Sequence, residues 1–229
     1  MQIPTVTFVE TMRGQVVMTR FVNATALAAA LATPEAEDTH AVYTSLQLGI
    51  ERDLALPMVW QDLAITVRNQ PCAGADGLAG CIEGGHILVS GLAEEPLVIQ
   101  TGSFALLPAT AQGERRMRYR LECAAGDGRR YLLYGFKRIA KGQGRFLPQA
   151  IWQDTTTLYV TIYELDALAA PRALVATGVI QIHLLDFLKQ LLTVRSRAVK
   201  GGVPALRNLA AFGAFFATGV LGAYRAGPS

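Results

Sequence analysis

Apolar and polar residues alternate along several short runs of the chain, and the clearest run lies between Arg115 and Ala140. In "RRMRYRLECAA", the apolar residues from Met117 to Cys123 face one way, while the arginines and a glutamate between them face the other. This alternation is typical of a half-buried antiparallel strand. The next residues, "GDGRR", have turn chemistry, and "RRYLLYGFKRIA" follows as a second strand. The pattern therefore predicts a β-hairpin over residues 115–140.

The stretch from Trp152 to Glu164, "WQDTTTLYVTIYE", combines a strand pattern with polar residues that could carry chemistry. From Thr157 onwards, threonine and tyrosine alternate with leucine, valine and isoleucine, which predicts a strand. Asp and Thr side chains also satisfy free backbone groups where a chain enters regular structure. We therefore expect Asp154 to Thr156 to lead from a loop into this strand. The alternative places Asp154 and Thr155 at the mouth of a pocket, with Trp152 at its lip.

Comparable strand patterns recur about every 10–15 residues as far as residue 183, which indicates roughly eight to ten strands. They do not alternate with helices, and this favours an antiparallel arrangement. We therefore expect a mainly β fold with two C-terminal α-helices. Its sheet would be an antiparallel barrel, lipocalin-like in type, or a strongly curved sheet. Glycines that precede strand runs, such as Gly14 and Gly178, would relieve its corners.

The last part of the chain follows a different pattern. Apolar residues between Leu184 and Leu192 recur at helical spacing, and Pro204 suits the start of a second helix. We therefore divide the chain into a barrel-like domain, residues 1–183, and a helical segment, residues 184–229, that packs on the domain, a partner or a membrane surface. The segment carries six basic residues and one acidic residue, which favours contact with an anionic surface.

The second of these helices has no charged residue from Leu209 to Tyr224. This run is shorter than the roughly 20 residues that span a bilayer. The alternatives are a buried core helix and a helix that lies on a membrane or docks on a partner. In the second case, the contact residues would be Arg207, Phe212, Phe215, Phe216 and Tyr224.

Composition and motifs narrow the function classes. The net charge of +3 is too small to indicate nucleic-acid binding. The three cysteines form no Cys-x-x-Cys motif and follow no secretory signal, so we expect free thiols in the cytoplasm, with the protein either free or peripheral to a membrane. His40, His86 and His183 lie in separate segments, which does not predict a metal site. Neither a nucleophile elbow nor a nucleotide-binding glycine motif occurs, so we expect no cofactor.

One face of the predicted hairpin is rich in arginine: Arg116, Arg118 and Arg120 alternate along its first strand, and Lys137 and Arg138 lie on its second. Such a face could bind a phosphate or carboxylate head group. The alternative is a solvated face, with ion pairs to acidic residues such as Glu122, Asp62 or Glu164.

Four stretches resemble a known accessory region: "TFVETMRG", "RRMRYRLECAAGDGRRYLLYGFKRI", "WQDTTTLYVTIYE" and "GVIQIHLLDFLKQLLTVR". This region occurs beside cholesterol-oxidase-like flavin oxidoreductases of the glucose–methanol–choline family and beside lipase-like α/β hydrolases. The match covers most of residues 5–197. It implies a lipid or steroid context and an oxidase or hydrolase partner. It implies no flavin here, because the glycine motif of the flavin domain is missing, and it assigns no catalytic residue.

The leading functional expectation is a non-catalytic module that binds a lipid-like or steroid-like molecule inside the barrel. The ligand would contact Phe104, Met117, Tyr119, Leu133, Phe136, Trp152 and Tyr159. A second hypothesis is a cofactor-free isomerase or cyclase that uses Asp154 with Tyr159 or Tyr134. A third is a structural interaction subunit whose barrel is filled by its own side chains.

Overall fold

The computed structural model describes residues 5–22, 24–72, 77–110, 114–139, 147–183, 195–196 and 203–225, and the structural statements below concern these residues. Their strands are β1 (Val6–Met18), β2 (Leu56–Pro71), β3 (Leu78–Ile82), β4 (His86–Val89), β5 (Val98–Ala109), β6 (Arg115–Ala124), β7 (Arg130–Ile139), β8 (Thr157–Leu165), β9 (Pro171–Gln181) and β10 (Arg195–Ser196). Their α-helices are α1 (Ala24–Ala30), α2 (Thr39–Glu51), α3 (Leu147–Thr156) and α4 (Val203–Arg225). Two short 3-10 helices span Thr19–Phe21 and Pro34–Ala36.

The strands form one antiparallel sheet that closes on itself. Strand β1 pairs with β2 along one edge and with β9 along the other. Between these two contacts the order runs β2, β3, β5, β6, β7, β8, β9, so eight strands complete the ring. Strand β4 pairs with the same edge of β2 as β3 does, at an earlier part of β2. Strand β10 pairs with the first residues of β1. The prediction of a mainly antiparallel barrel is therefore confirmed.

Two glycines allow the ring to close tightly where β1 crosses β9. A Cβ on Gly14 would lie 2.1 Å from the carbonyl oxygen of Val179, and one on Gly178 would lie 2.5 Å from that of Gln15. Both distances are far below van der Waals contact, so only glycine lets the two backbones approach this closely. This agrees with the expectation that glycines relieve the corners of the barrel.

The inside of the barrel is packed with side chains. Alternate residues of each strand point inward, and the largest fully buried ones include Trp60, Tyr119, Tyr131, Met58 and Met12. Trp60, Leu63 and Ile65 on β2 have no surface that a water molecule could touch, from outside or from an enclosed void. Protein interiors normally reach this density when no ligand space is kept open. The inward-facing side chains of the described strands therefore form one buried apolar core.

A segment between β1 and β2 covers the outside of the barrel. Helix α2 begins after Asp38, whose carboxylate accepts from the backbone N–H groups of His40 (2.9 Å) and Ala41 (3.0 Å). A second apolar cluster joins this segment to the outer face of β1 and comprises Val17, Val22, Leu27, Leu31, Val42 and Leu46.

Helix α3 corrects one expectation. The chain from Asp154 to Thr156 is the last turn of this helix and not a loop that leads into a strand; β8 begins at Thr157. The hydroxyls of Thr155 and Thr156 donate to the carbonyls of Ile151 and Trp152, four residues earlier, at 2.7 Å each. The threonine run thus satisfies backbone groups, as expected, but within a helix.

Helix α4 lies in the predicted segment 184–229 and packs against β5, β6 and β7. Val220, Ala223 and Tyr224 are buried in the main core, and Gly219 fits closely over Leu107. The Tyr224 hydroxyl donates to Asp154 of α3 at 2.6 Å. No helix among the described residues is long and apolar enough to cross a membrane. The helix predicted over residues 184–197 lies outside the described residues except at Arg195–Ser196, which form strand β10 instead.

Candidate functional site

Three ionisable side chains of the described core contact one another and are here called the interior cluster: Glu10 of β1, Tyr119 of β6 and Lys137 of β7. The Lys137 ammonium donates to Glu10 Oε1 at 2.7 Å, and the Tyr119 hydroxyl donates to Glu10 Oε2 at 2.8 Å. The Lys137 and Glu10 side chains are only 1% and 2% exposed. Three strands from different parts of the chain therefore meet at one carboxylate inside the barrel.

Strand alternation explains why these polar groups point inward. Glu10 lies on the same face of β1 as Phe8 and Met12, and Lys137 lies on the same face of β7 as Leu133 and Ile139, all of them buried. Lys137 is thus not part of the arginine face, because it lies on the opposite side of the sheet from Arg138. Sequence reasoning did not select Glu10, and it wrongly grouped Lys137 with the arginine face. The available signal was a charged residue at the inward phase of an otherwise apolar strand.

Aromatic rings surround the interior cluster. The Tyr119 ring packs edge-on against Phe104, with centroids 4.8 Å apart, and against Trp60 at 6.2 Å. The Lys137 ammonium lies 5.3 Å from the centroid of the Tyr119 ring, within the range of a cation–π contact. Burial, and then the negative charge of Glu10, hold the pKa of Tyr119 well above its usual value. Tyr119 therefore stays neutral and acts as a hydrogen-bond donor.

The interior has more donors than acceptors. An ammonium group carries three N–H donors, and Glu10 takes one of those on Lys137. The indole Nε1 of Trp60 is buried without an acceptor. An unsatisfied buried donor costs about 1–3 kcal/mol. Packing alone does not explain this surplus of donors in the described core.

A second group, here called the outer cluster, lies on the other side of the barrel wall: Glu37, Arg116, Arg118 and Tyr134. Glu37 Oε2 accepts from Arg116 Nη1 at 2.9 Å and from Arg118 Nη2 at 3.0 Å. Glu37 Oε1 accepts from Arg118 Nε and from the Tyr134 hydroxyl, the latter at 2.6 Å. Burial, and then the Glu37 charge, raise the pKa of Tyr134, and the hydrogen bond to Glu37 raises the pKa of Arg118.

The arginine face is therefore ion-paired. Arg116 also contacts Glu114 at 3.0 Å, and Arg120 contacts Glu122 at 3.3 Å. Of the acidic partners expected from the sequence, Glu122 is confirmed, whereas Glu37 was not foreseen. Glu37 precedes Arg116 by almost 80 positions, and no local pattern connects the two.

The residues expected to line a ligand cavity lie in two places. Phe104, Met117, Tyr119 and Leu133 point into the barrel and are buried in its core. Phe136 and Tyr159 lie on the outer face, where their rings stack at 5.6 Å and Arg116 lies over Phe136. Trp152 is half-buried in α3. The structure thus brings the first four together and separates them from the other three.

The remaining candidates are distributed around α3 and α4. Asp154 is half-buried and accepts from Tyr224, while the single O–H of Tyr134 is donated to Glu37. Tyr224 is buried and Phe216 is half-buried, so both face the barrel at least in part. The side chains of Arg207, Phe212 and Phe215 lie outside the described part of the structure.

Two open clefts lie outside the core. One, of about 580 Å³, is lined by residues 91–95 and by Ala125, Gly126, Asp127 and Arg129. The other, of about 420 Å³, lies between Leu31, Tyr163 and residues 171–174. Within the described ranges, no three His, Cys, Asp or Glu residues are placed to hold a metal ion. Neither cleft contains a member of the interior or outer cluster.

Comparison with known proteins adds no assignment: the chain matches no protein-family model, no curated protein and no solved structure. Its function must therefore be inferred from the geometry of the chain itself.

Proposed function

We propose that this chain is a non-catalytic interaction module, a solid β-barrel that acts through its outer surface. The observation that supports this is the packing of the interior. Ligand pockets in proteins typically have volumes of about 300–1,000 Å³. In the middle of this barrel, by contrast, the side chains of Trp60, Leu63, Ile65 and Leu121 have no surface that is accessible to a water molecule.

The aromatic side chains explain why the barrel is solid. An eight-stranded barrel is just wide enough to be filled by side chains or to hold one small ligand. Here Phe8, Phe104, Tyr119 and Trp60 form a continuous series of edge contacts from β1 to β5, β6 and β2. These rings occupy the volume that a ligand would need.

The partner we propose is an oxidase or hydrolase that acts on lipids, because the sequence resembles a region found beside such enzymes. We place the protein in the cytoplasm, where the free thiols of Cys72, Cys81 and Cys123 would stay reduced. Under this proposal the module holds or orients its partner and performs no chemistry itself.

Native mass spectrometry of the gently purified chain tests the solid barrel. We expect the mass of the bare polypeptide, unchanged after incubation with fatty acids, sterols and phospholipids. Phe104→Ala is the positive control, because it opens a cavity in the core and should bind a small apolar molecule such as benzene, which the wild type excludes. A stoichiometric lipid or sterol adduct on the wild type would overturn the proposal.

A second candidate is the binding of an apolar ligand inside the barrel, and the donor surplus favours it. Such a ligand would have to displace core side chains and place an acceptor, such as a neutral carbonyl, near Lys137 and Trp60. The same experiment separates the candidates. An adduct with the wild type that weakens in Trp60→Phe, which removes the indole donor, would support this second function.

A further inference from the structure

We propose that Arg116, Arg118 and Tyr134 form a binding site for a phosphoryl group on the outer face of the barrel, and that the side chain of Glu37 occupies this site as an internal substitute. The inference goes beyond the proposed function, since a solid barrel could exist with or without such a site.

The first argument is the geometry of the occupant. Glu37 is held as a bound anion would be: two guanidinium groups and a phenol donate to its two oxygens. Arg118 grips it with two N–H groups, the bidentate arrangement by which arginine recognises carboxylates and phosphates. The Glu37 side chain is only 6% exposed, while that of Arg118 remains 34% exposed. A guanidinium group at the site is thus accessible from solvent.

The second argument is the number of donors. Each oxygen of Glu37 already accepts two hydrogen bonds, one for each of its lone pairs. Arg116 Nε is nevertheless buried without an acceptor, and Arg116 Nη1, which donates to Glu37 Oε2 at 2.9 Å, makes only a long second bond, 3.3 Å, to the Glu37 carbonyl. A carboxylate offers two oxygens, whereas a phosphoryl group offers three. The site therefore has more donors than its internal occupant can satisfy.

The third argument is the charge of the face. Glu37, Glu114 and Glu122 supply three negative charges to the ion pairs of this face, and Arg116, Arg118, Arg120 and Arg138 supply four positive charges. Among these ion-paired side chains, the positive charges outnumber the negative charges by one, and by two when Glu37 leaves. Two further carboxylates, Asp154 and Glu35, lie near Arg138 and Tyr134. A phosphate at neutral pH carries between one and two negative charges. This matches the positive charge that is left among the ion-paired side chains when Glu37 leaves.

The backbone around Glu37 shows how the occupant could leave. Glu37 has a left-handed backbone conformation, φ 50°, which is unfavourable for a residue with a Cβ. Its neighbours are anchored: the Tyr163 hydroxyl donates to the Leu31 and Thr33 carbonyls, and Asp38 caps α2. Release thus requires a rotation at Glu37 alone. Because the occupant is tethered, its effective concentration is high, and free phosphate should compete poorly in the wild type.

The test measures binding of inorganic phosphate to the full chain by isothermal titration calorimetry at pH 7, with ionic strength held constant by chloride. Glu37→Ala should bind phosphate saturably, with a Kd at least ten-fold lower than that of the wild type, and should bind acetate more weakly than phosphate. The matched control is Glu122→Ala, which also removes a carboxylate that pairs with an arginine of this face. This variant should not bind phosphate more tightly than the wild type does. Adding Arg118→Gln to Glu37→Ala should abolish the gain.

Equal phosphate binding by Glu37→Ala and Glu122→Ala would overturn the proposal and leave the outer cluster as a structural ion pair. If Glu37→Ala does not fold, Glu37→Gln replaces it. Phosphate binding by Glu37→Gln that is no tighter than that by Glu122→Ala would likewise overturn the proposal. Vesicles then identify the source of the phosphoryl group. Co-sedimentation of Glu37→Ala with phosphatidic acid vesicles, but not with phosphatidylcholine vesicles, indicates a lipid head group. Binding of free phosphate without vesicle binding indicates a soluble ligand.

Discussion

The interior and outer clusters use the same chemistry in two different surroundings. In each, a buried glutamate accepts from a tyrosine hydroxyl and from at least one cationic side chain. The difference lies in the cations. Lys137 is 1% exposed, whereas the side chains of Arg118 and Arg116 are 34% and 14% exposed. Water can thus replace a lost partner in the outer cluster but not in the interior cluster.

From this comparison we expect solvent access, and not the number of hydrogen bonds, to decide how much a broken ion pair costs. The Glu37 carboxylate makes twice as many side-chain hydrogen bonds as that of Glu10. We nevertheless expect Glu10 to be the more critical residue. Removing one partner of a buried pair leaves an uncompensated charge in a medium of low dielectric constant.

The largest effect is expected for Lys137→Met, which leaves the Glu10 carboxylate without its cation inside the core. The free energy of unfolding should fall by about 3–5 kcal/mol, measured by urea denaturation with circular dichroism. The double variant Glu10→Gln, Lys137→Met should recover most of the loss, because no charge is then left unpaired. A loss below about 1 kcal/mol for the single variant would show that water reaches the interior cluster.

A matched pair of substitutions compares the clusters directly. Tyr119→Phe and Tyr134→Phe each delete one hydroxyl that donates to a glutamate, at 2.8 Å and 2.6 Å respectively. A hydrogen bond to a charged group contributes about 1.5–3 kcal/mol. We expect Tyr119→Phe to lie at the upper end of this range and Tyr134→Phe at or below the lower end. Equal losses in urea denaturation would contradict the proposed role of solvent access.

Alkaline pH should destabilise the fold through its buried tyrosines. Burial raises the pKa of Tyr119, Tyr134 and Tyr163, in the last case to about 12. An unfolded tyrosine ionises near pH 10, so above that pH the unfolded state binds fewer protons than the folded state, and stability falls as pH rises from about 10 towards 12. Below about pH 10 the contribution is fully present.

Urea midpoints at pH 9, 10 and 11 test this expectation. The slope against pH should become shallower in Tyr119→Phe. Tyr43→Phe is the control, because Tyr43 is 52% exposed and should leave the slope unchanged. A midpoint that does not vary between pH 9 and 11 would show that these tyrosines ionise equally well in the folded protein.

The smallest expected effect concerns the reactivity of the cysteine thiols and involves no change in the free energy of unfolding. Cys123 points into the core, and burial, followed by the nearby Glu122 charge, raises its pKa to about 12. Cys72 and Cys81 are only half-buried. At pH 8, a thiol reagent should label these two residues in the native protein and Cys123 only after denaturation, as counted by intact mass. Rapid native labelling of all three would show that the core opens readily.

Local pattern was enough to predict the strands. The hairpin expected over residues 115–140 is β6 and β7, and the strand expected from Thr157 is β8. Alternation also identified which side chains share a face, because the period of a strand is two residues in any context. It could not tell the inner face from the outer one, so Tyr159 was grouped with Phe104 although the barrel wall separates them. Phe136 was grouped with Leu133 against the alternation, because the two lie three positions apart on β7 and face opposite sides.

By itself, then, the sequence determined the class of fold and the positions of its strands, since both depend on short-range periodicity and turn chemistry. Only the tertiary structure decided which strands meet, which side chains face the interior, and that Glu10 joins Lys137 while Glu37 joins Arg116 and Arg118. These contacts connect residues 79 to 127 positions apart. Closing the sheet into a ring brings them together, and no local pattern records that closure.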